Sequence, residues 1–246
     1  MDNTGKGLWA ETADVFRRNL KPCLAYVFAA LAIAFAAEFV KTNSSFTVAQ
    51  SFAAALLAIP AHLTVLKNQA GFAALNVPAN GKLMMPFVFR GLGLGFLALI
   101  PFLAALIALI AAGTAEWTAL LASVAVLLVS AALVFAKWGT MLPAVLAQDD
   151  KTFSRAGQRG SLVMGYALPR LLLCFGLLSA VQIGLVFGFT SGSEGDGNFF
   201  PATGGFDGLL FAATLIGSII GAFQIVMTAV ILSRSYLRAE GKTAVA

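Results

Sequence analysis

The sequence predicts an all-α fold, a polytopic membrane bundle of six transmembrane helices with cytoplasmic amphipathic interfacial helices. Three observations carry this expectation. Of 246 residues, 59% are hydrophobic and only 11% are charged, against about 25% charged in a soluble domain. A chain this apolar cannot cover its core with polar surface, so lipid must solvate much of it. The apolar residues form six continuous runs rather than the period-two alternation of a membrane barrel. Finally, of the sixteen Lys and Arg residues all but Lys41 fall on one side of those runs. Short cytoplasmic loops retain Lys and Arg, which orients the chain with both termini in the cytoplasm.

The spans are expected at about 21–40, 46–66, 87–112, 117–136, 169–189 and 208–232. Each needs about 20 residues, so residues 1–246 form a single integral membrane domain. Ala34-Phe35-Ala36 has the small-x-small form of a cleavage site. Glu11 and Asp14 precede the run, however, and the run is of spanning length, so the first segment reads as an uncleaved anchor. The second span is the most polar, with Ser51, Pro60, His62 and Thr64. The third and fourth are joined by the tight connection Gly113-Thr114-Ala115-Glu116, a helical hairpin.

The loop before the sixth span is Gly-rich and acidic. Its Glu194, Asp196 and Asn198 alternate like the start of a calcium loop. Phe199 stands where that loop needs Gly, however, and Gly205 where it needs Glu, so no metal is expected. Cys23 and Cys174 lie toward the cytoplasmic leaflet and are expected as buried free thiols.

A cytoplasmic stretch precedes each odd-numbered span. In the first, Trp9, Ala13, Phe16 and Leu20 share one helical face, opposite Glu11, Arg17 and Arg18. In the third, Phe153, Ala156, Gly160, Val163 and Ala167 recur at steps of three or four. Asp150 is placed to cap that helix, and Arg155 and Arg159 lie one turn apart. The second stretch, about 68–90, is broken by Pro78, Asn80-Gly81 and Pro86. The pattern suggests three units of interfacial helix plus hairpin. Arg17, Arg18, Arg155 and Arg159 are the candidate contacts to lipid head groups. Bases spread over membrane-proximal loops indicate anionic lipid partners and no nucleic acid.

Ionisable residues deep in lipid are functional candidates, and this chain has almost none. His62 is its only histidine. It sits about a turn from the cytoplasmic end of its span, with the Pro60 region offering a free carbonyl as acceptor. Gln182 and Gln224 fall near mid-depth of the fifth and sixth spans, where an amide needs a partner on another helix, and a contact between the two is expected. These three are the candidate intramembrane polar contacts. Gly91-x-x-x-Gly95, Gly184-x-x-x-Gly188 and Gly217-x-x-x-Gly221 permit close helix approach. There is no metal-binding HExxH, P-loop, nucleophile elbow or Cys-x-x-Cys. General acid–base catalysis lacks its usual side chains, so neither an enzyme nor a cofactor is expected.

The stretch 138–173 carries Trp138, Met141-Leu142-Pro143-Ala144, Asp149-Asp150, Phe153-Ser154-Arg155-Ala156 and Gly160-Ser161 before an apolar run. It resembles a group of six-span bacterial inner-membrane proteins similar to the membrane domain of some glycerophosphodiester phosphodiesterases. In that group a span ends in Leu-Pro-Ala and an amphipathic cytoplasmic helix leads to the next span. Gly157-Gln158-Arg159 departs from the bulkier residues usual there, and no phosphodiesterase domain is present. The resemblance implies a fold and a bacterial inner-membrane address, with no catalytic residues to carry over. The expectation is a non-enzymatic lipid- or envelope-associated scaffold or binding subunit. The alternative is the permease subunit of a transporter such as an ABC exporter, and a homo-oligomer or an ATPase partner stays open.

Overall fold

The computed structural model describes residues 7–39, 44–190, 198–200 and 205–242, and among these there are ten helices and no strand. They are α1 (Leu8–Arg18), α2 (Leu20–Phe39), α3 (Ser44–Lys67), α4 (Gly71–Leu75), α5 (Pro78–Gly81), α6 (Met84–Ala111), α7 (Glu116–Trp138), α8 (Met141–Ala147), α9 (Phe153–Thr190) and α10 (Gly208–Ala239). Six of them, α2, α3, α6, α7, α9 and α10, are long and apolar enough to cross a membrane. Lys41, Glu194 and Asp196 lie outside the described residues.

The long helices alternate in direction. One end of the bundle gathers the end of α3, the starts of α2, α6 and α9, and the ends of α7 and α10. Cross-links there include Asn19 to Thr64, His62 to Ser233, Lys137 to Ser161 and Arg159 to Glu240. Every described Lys and Arg belongs to this end, called here the basic end. Arg90 and Arg170 start further down their helices. Each folds back to donate to a carbonyl four residues earlier, Pro86 at 3.1 Å and Tyr166 at 2.9 Å. Long basic side chains reach back in this way to keep their charge near water.

α10 is the centre of the bundle, packed against α1, α2, α3, α8 and α9. Its outer half is partly lipid-exposed, but the run from Val226 to Leu237 is buried on nearly all sides. The α6–α7 hairpin joins through α7 on α9 and α6 on α3. Its turn closes as a Schellman motif, with Gly113 at φ +72, Gly113 N–H on Ile110 O and Thr114 N–H on Leu109 O. Helices in lipid gain little from apolar transfer and associate through close packing. Here the closest approaches are at Gly139 and Gly160. A Cβ on Gly160 would lie 2.0 Å from Lys137 O, and one on Gly139 would lie 2.7 Å from Leu232 Cδ2.

Several expectations change. The interfacial helix from Phe153 and the fifth span are one unbroken helix of 38 residues that contains Pro169. At 1.5 Å per residue it is about 57 Å long, well beyond a hydrocarbon core of about 30 Å. It stays whole because its first turns dock, with Ala156, Gly160, Val163 and Ala167 buried against neighbours while Phe153 is exposed. Its N-cap is Thr152, whose Oγ1 accepts from Arg155 N at 3.3 Å. Asp150 Oδ1 instead accepts from Thr152 N at 2.9 Å. The inward face of α1 is Thr12, Val15 and Asn19, with Leu20 exposed, although Trp9 and Phe16 do pack on Phe223. The threefold unit is not repeated, since 71–81 forms only the two short helices α4 and α5. Of the six glycines in the three small-residue motifs only Gly221 and Gly91 would bring an added Cβ within 4 Å of another helix, and the tight contacts lie elsewhere.

Candidate functional site

Polar groups concentrate in a buried layer across the basic end. Its centre is His62, where Nδ1 lies 2.7 Å from Ser233 Oγ and the ring meets Phe87 edge-on. Both residues are buried. The imidazole pairs with the Ser233 hydroxyl rather than with a backbone carbonyl freed near Pro60, and the carbonyl of Pro60 itself accepts from Thr64 Oγ1 at 2.7 Å. On one flank Asn19 ties three segments together. Its amide donates to Val15 O and Thr64 Oγ1, and its Oδ1 accepts from Gly71 N at 2.8 Å. Asn80 closes the α3–α6 connection by donating to Ala74 O and Gln69 Oε1. Glu11 fastens α1 to α10 by accepting from Arg234 Nε at 2.7 Å.

The other flank is an ion-pair cluster around Arg159, whose side chain is 1% exposed. Its Nε donates to Glu240 Oε1 at 2.6 Å, Nη1 donates to Asp150 O at 2.6 Å, and Nη2 lies 3.5 Å from Asp149 Oδ2. The guanidinium also sits 5.2 Å from the Tyr236 ring centroid. The Tyr236 hydroxyl donates to Asp149 Oδ2 at 2.7 Å, and Lys242 Nζ reaches the same oxygen at 3.3 Å. Lys242 is aimed there by Gly241, whose φ of +63 ends α10 in a left-handed turn.

The hydrogen bond from Tyr236, with help from Asp150 N–H and Lys242, pulls the Asp149 carboxyl down to about 2. Arg159 likewise lowers Glu240, while Tyr236 and then Asp149 raise Lys242. A buried guanidinium is tolerated only when paired and hydrogen-bonded; this shell hydrogen-bonds Nε and Nη1, and leaves Nη2 with the ion pair to Asp149 alone.

Arg159 therefore is not positioned as a head-group contact; packing of α9 on α7 turns it inward. Arg155 lies beside it as the spacing predicts, 44% exposed and 3.2 Å from Glu240. Arg17 is exposed, and Arg18 is exposed while bonded to Asn68. Gln182 and Gln224 do not meet each other. Gln182 Nε2 donates to Gly217 O at 2.9 Å and Gln224 Nε2 to Ser179 Oγ at 3.4 Å, so each bridges α9 and α10 separately. Cys23 and Cys174 are free and buried.

Sequence reasoning missed the role of α8. The Met141-Leu142-Pro143-Ala144 element turns back into the bundle, with Met141 to Leu146 all buried against α3, α6 and α10. It also missed a surface cluster in which Arg170 and Arg238 both stack on Tyr166, with guanidinium carbons 4.0 and 3.8 Å from the ring centroid. Comparison with family models, characterised proteins and solved structures finds no match to this chain.

Proposed function

We propose that this chain is a non-enzymatic integral membrane protein of the bacterial inner membrane, with both termini cytoplasmic. In this reading it serves the envelope as a lipid-associated scaffold or binding subunit. The observation that carries the reading is the division of charge at the basic end. His62, Ser233, Asn19, Thr64, Asn80 and Arg159 are buried and engaged in contacts between segments, while Arg17, Arg18 and Arg155 remain exposed. The first set holds helices in place. The second set faces outward, where each base near an anionic leaflet contributes about 1 kcal/mol. The back-folded Arg90 and Arg170 further support a membrane surface at this end. The likeness of 138–173 to the membrane domain of some glycerophosphodiester phosphodiesterases belongs to the same proposal.

A permease subunit of a transporter such as an ABC exporter is the second reading. The short helices α4 and α5 favour it, since they connect two spans at the basic end and expose Phe72 and Val77 while α4 packs on α2 and α3. An ATPase subunit would dock on such an element. Extraction in polymer-bounded native membrane discs tests both. The first reading expects anionic phospholipid enriched over the bulk membrane and no stoichiometric ATPase. A stoichiometric ATPase would replace it with the second, and a bulk lipid composition would refute it.

A further inference from the structure

We propose that Phe39, Phe200 and Phe206 insert into the membrane leaflet opposite the basic end and extend the lipid-facing band of the bundle there. The three rings belong to one packed cluster. Its hub is Phe199, which is buried and stacks on Phe35 of α2 with 4.5 Å between centroids. Phe35 also meets Phe200 at 6.2 Å and Phe206 at 6.4 Å. Phe200 in turn meets Phe39 at 6.2 Å and Phe206 at 5.7 Å. The backbone of Phe199 is held on both sides. Its N–H donates to Glu38 Oε1 near the end of α2, and its carbonyl accepts from Asp207 N at 2.8 Å where α10 begins. Phe39, Phe200 and Phe206 are nonetheless each more than half exposed.

Acyl chains are the partner because of where the rings lie and because α2 is short. Leu24, Phe28, Ala32 and Phe39 recur along α2 at steps of four and seven, so they share one face, and all four are exposed. The cluster continues that lipid-facing side of a spanning helix. From Lys21 to Glu38 α2 rises about 25 Å, less than a hydrocarbon core of about 30 Å. Such a deficit is otherwise met by thinning the bilayer. Phe39, with Phe200 and Phe206 packed beside it, adds apolar surface at the short end. Glu38 is turned from lipid, since Oε1 takes the Phe199 N–H and Oε2 is buried with no hydrogen-bond partner. Burying that oxygen is unfavourable. Taking the rings out of water offsets it, and acyl chains over Phe39, Phe200 and Phe206 do so. Asp207, next to Phe206, keeps its carboxylate on the N-terminus of α10, accepting from Leu209 N at 3.0 Å and Leu210 N at 2.9 Å. This surface needs only a spanning bundle, so it stands under either reading above.

Spin labels test the depth. In a Cys23→Ala, Cys174→Ala background reconstituted in phosphatidylcholine vesicles, labels at Phe200→Cys and Phe206→Cys are compared with two references. Phe28→Cys reports lipid and the exposed Lys151→Cys reports water. Power saturation is expected to give an oxygen-to-nickel-chelate accessibility ratio several-fold above that at Lys151 and close to that at Phe28. A ratio like that at Lys151 would put the rings in water. Low access to both reagents would put protein over them, a second copy of this chain included. Either result overturns insertion and leaves anionic-lipid enrichment untouched. Stability supplies an independent measurement. Phe200→Ser with Phe206→Ser is expected to lower the unfolding temperature in long-chain bilayers and to leave it unchanged in short-chain ones, where α2 alone spans the core. An equal loss in both bilayers would make the rings packing groups only and would also overturn insertion.

Discussion

Arg159 and Glu240 meet at 2.6 Å across 81 residues of chain, joining the second turn of α9 to the residue that ends α10. Arg159 is buried while Glu240 is 14% exposed, so the guanidinium has no water to fall back on and the carboxylate has little. Removing one member of such a pair leaves a charge uncompensated, which costs about 3–5 kcal/mol. Glu240→Gln is therefore expected to destabilise the protein by about 3 kcal/mol in a detergent-micelle unfolding titration. Arg155→Gln, which touches the same carboxylate from an exposed position, is expected to cost less than about 1 kcal/mol. Equal effects would show that Arg159 is not the partner that matters.

The same cluster sets a pH dependence. The folded Asp149 carboxyl is pulled down to about 2, and Glu240 is lowered too. Groups depressed in the folded state stabilise it above their unfolded values, about 4 for carboxylates, and that contribution is lost as pH falls through the folded values. Lys242 is raised, so its contribution is complete below about 10.4 and is lost only as pH rises past its folded value. The unfolding temperature is expected to be flat near neutral pH and to fall in acid below about pH 5. Asp149→Asn should flatten that acid limb. An acid limb as steep in Asp149→Asn as in the wild type would refute the assignment.

The six spans were legible because lipid imposes length and apolarity on each, and both are properties of a run of residues. The burial of Cys23 and Cys174 followed for the same reason. The direction of Arg159 was not legible, because a basic residue on an amphipathic helix looks the same whether it faces head groups or a carboxylate from the far end of the chain. Only the docking of Gly160 on Lys137 O settles that rotation. The partners of His62, Gln182 and Gln224 were missed for a related cause. Depth can be counted along a sequence, but the angular position that chooses Ser233, Gly217 or Ser179 comes from packing. α8 was invisible as an element because seven residues with an internal Pro143 carry no period of their own.

His62 and Ser233 offer a test of the buried layer. Ser233→Ala removes the hydroxyl 2.7 Å from Nδ1 and leaves that ring nitrogen without it in a buried site. The expected loss is about 1–3 kcal/mol. Ser235→Ala is the control, since its hydroxyl is equally buried but bonds only to Ile231 O within its own helix, at 2.8 Å. That change is expected to cost under about 0.5 kcal/mol, because the carbonyl is already part of the helix ladder. A Ser233→Ala protein as stable as Ser235→Ala would show that the cross-helix bond contributes nothing.

The register of α9 on α7 depends on one missing side chain. A methyl on Gly160 would lie 2.0 Å from Lys137 O and 2.8 Å from Ala136 O, both backbone atoms that cannot swing aside. Gly160→Ala must therefore push the two helices apart, at a cost of about 1–3 kcal/mol for overpacking. The shift would also move Arg159, so its loss should not add fully to that of Glu240→Gln in the double variant. Gly165→Ala lies five residues along the same helix with nothing within 4 Å of its new methyl. Relief of glycine's backbone entropy is expected to stabilise it by about 0.5–1 kcal/mol. Opposite signs for the two substitutions in the same unfolding assay would locate the α7–α9 contact at Gly160, and a neutral Gly160→Ala would remove it.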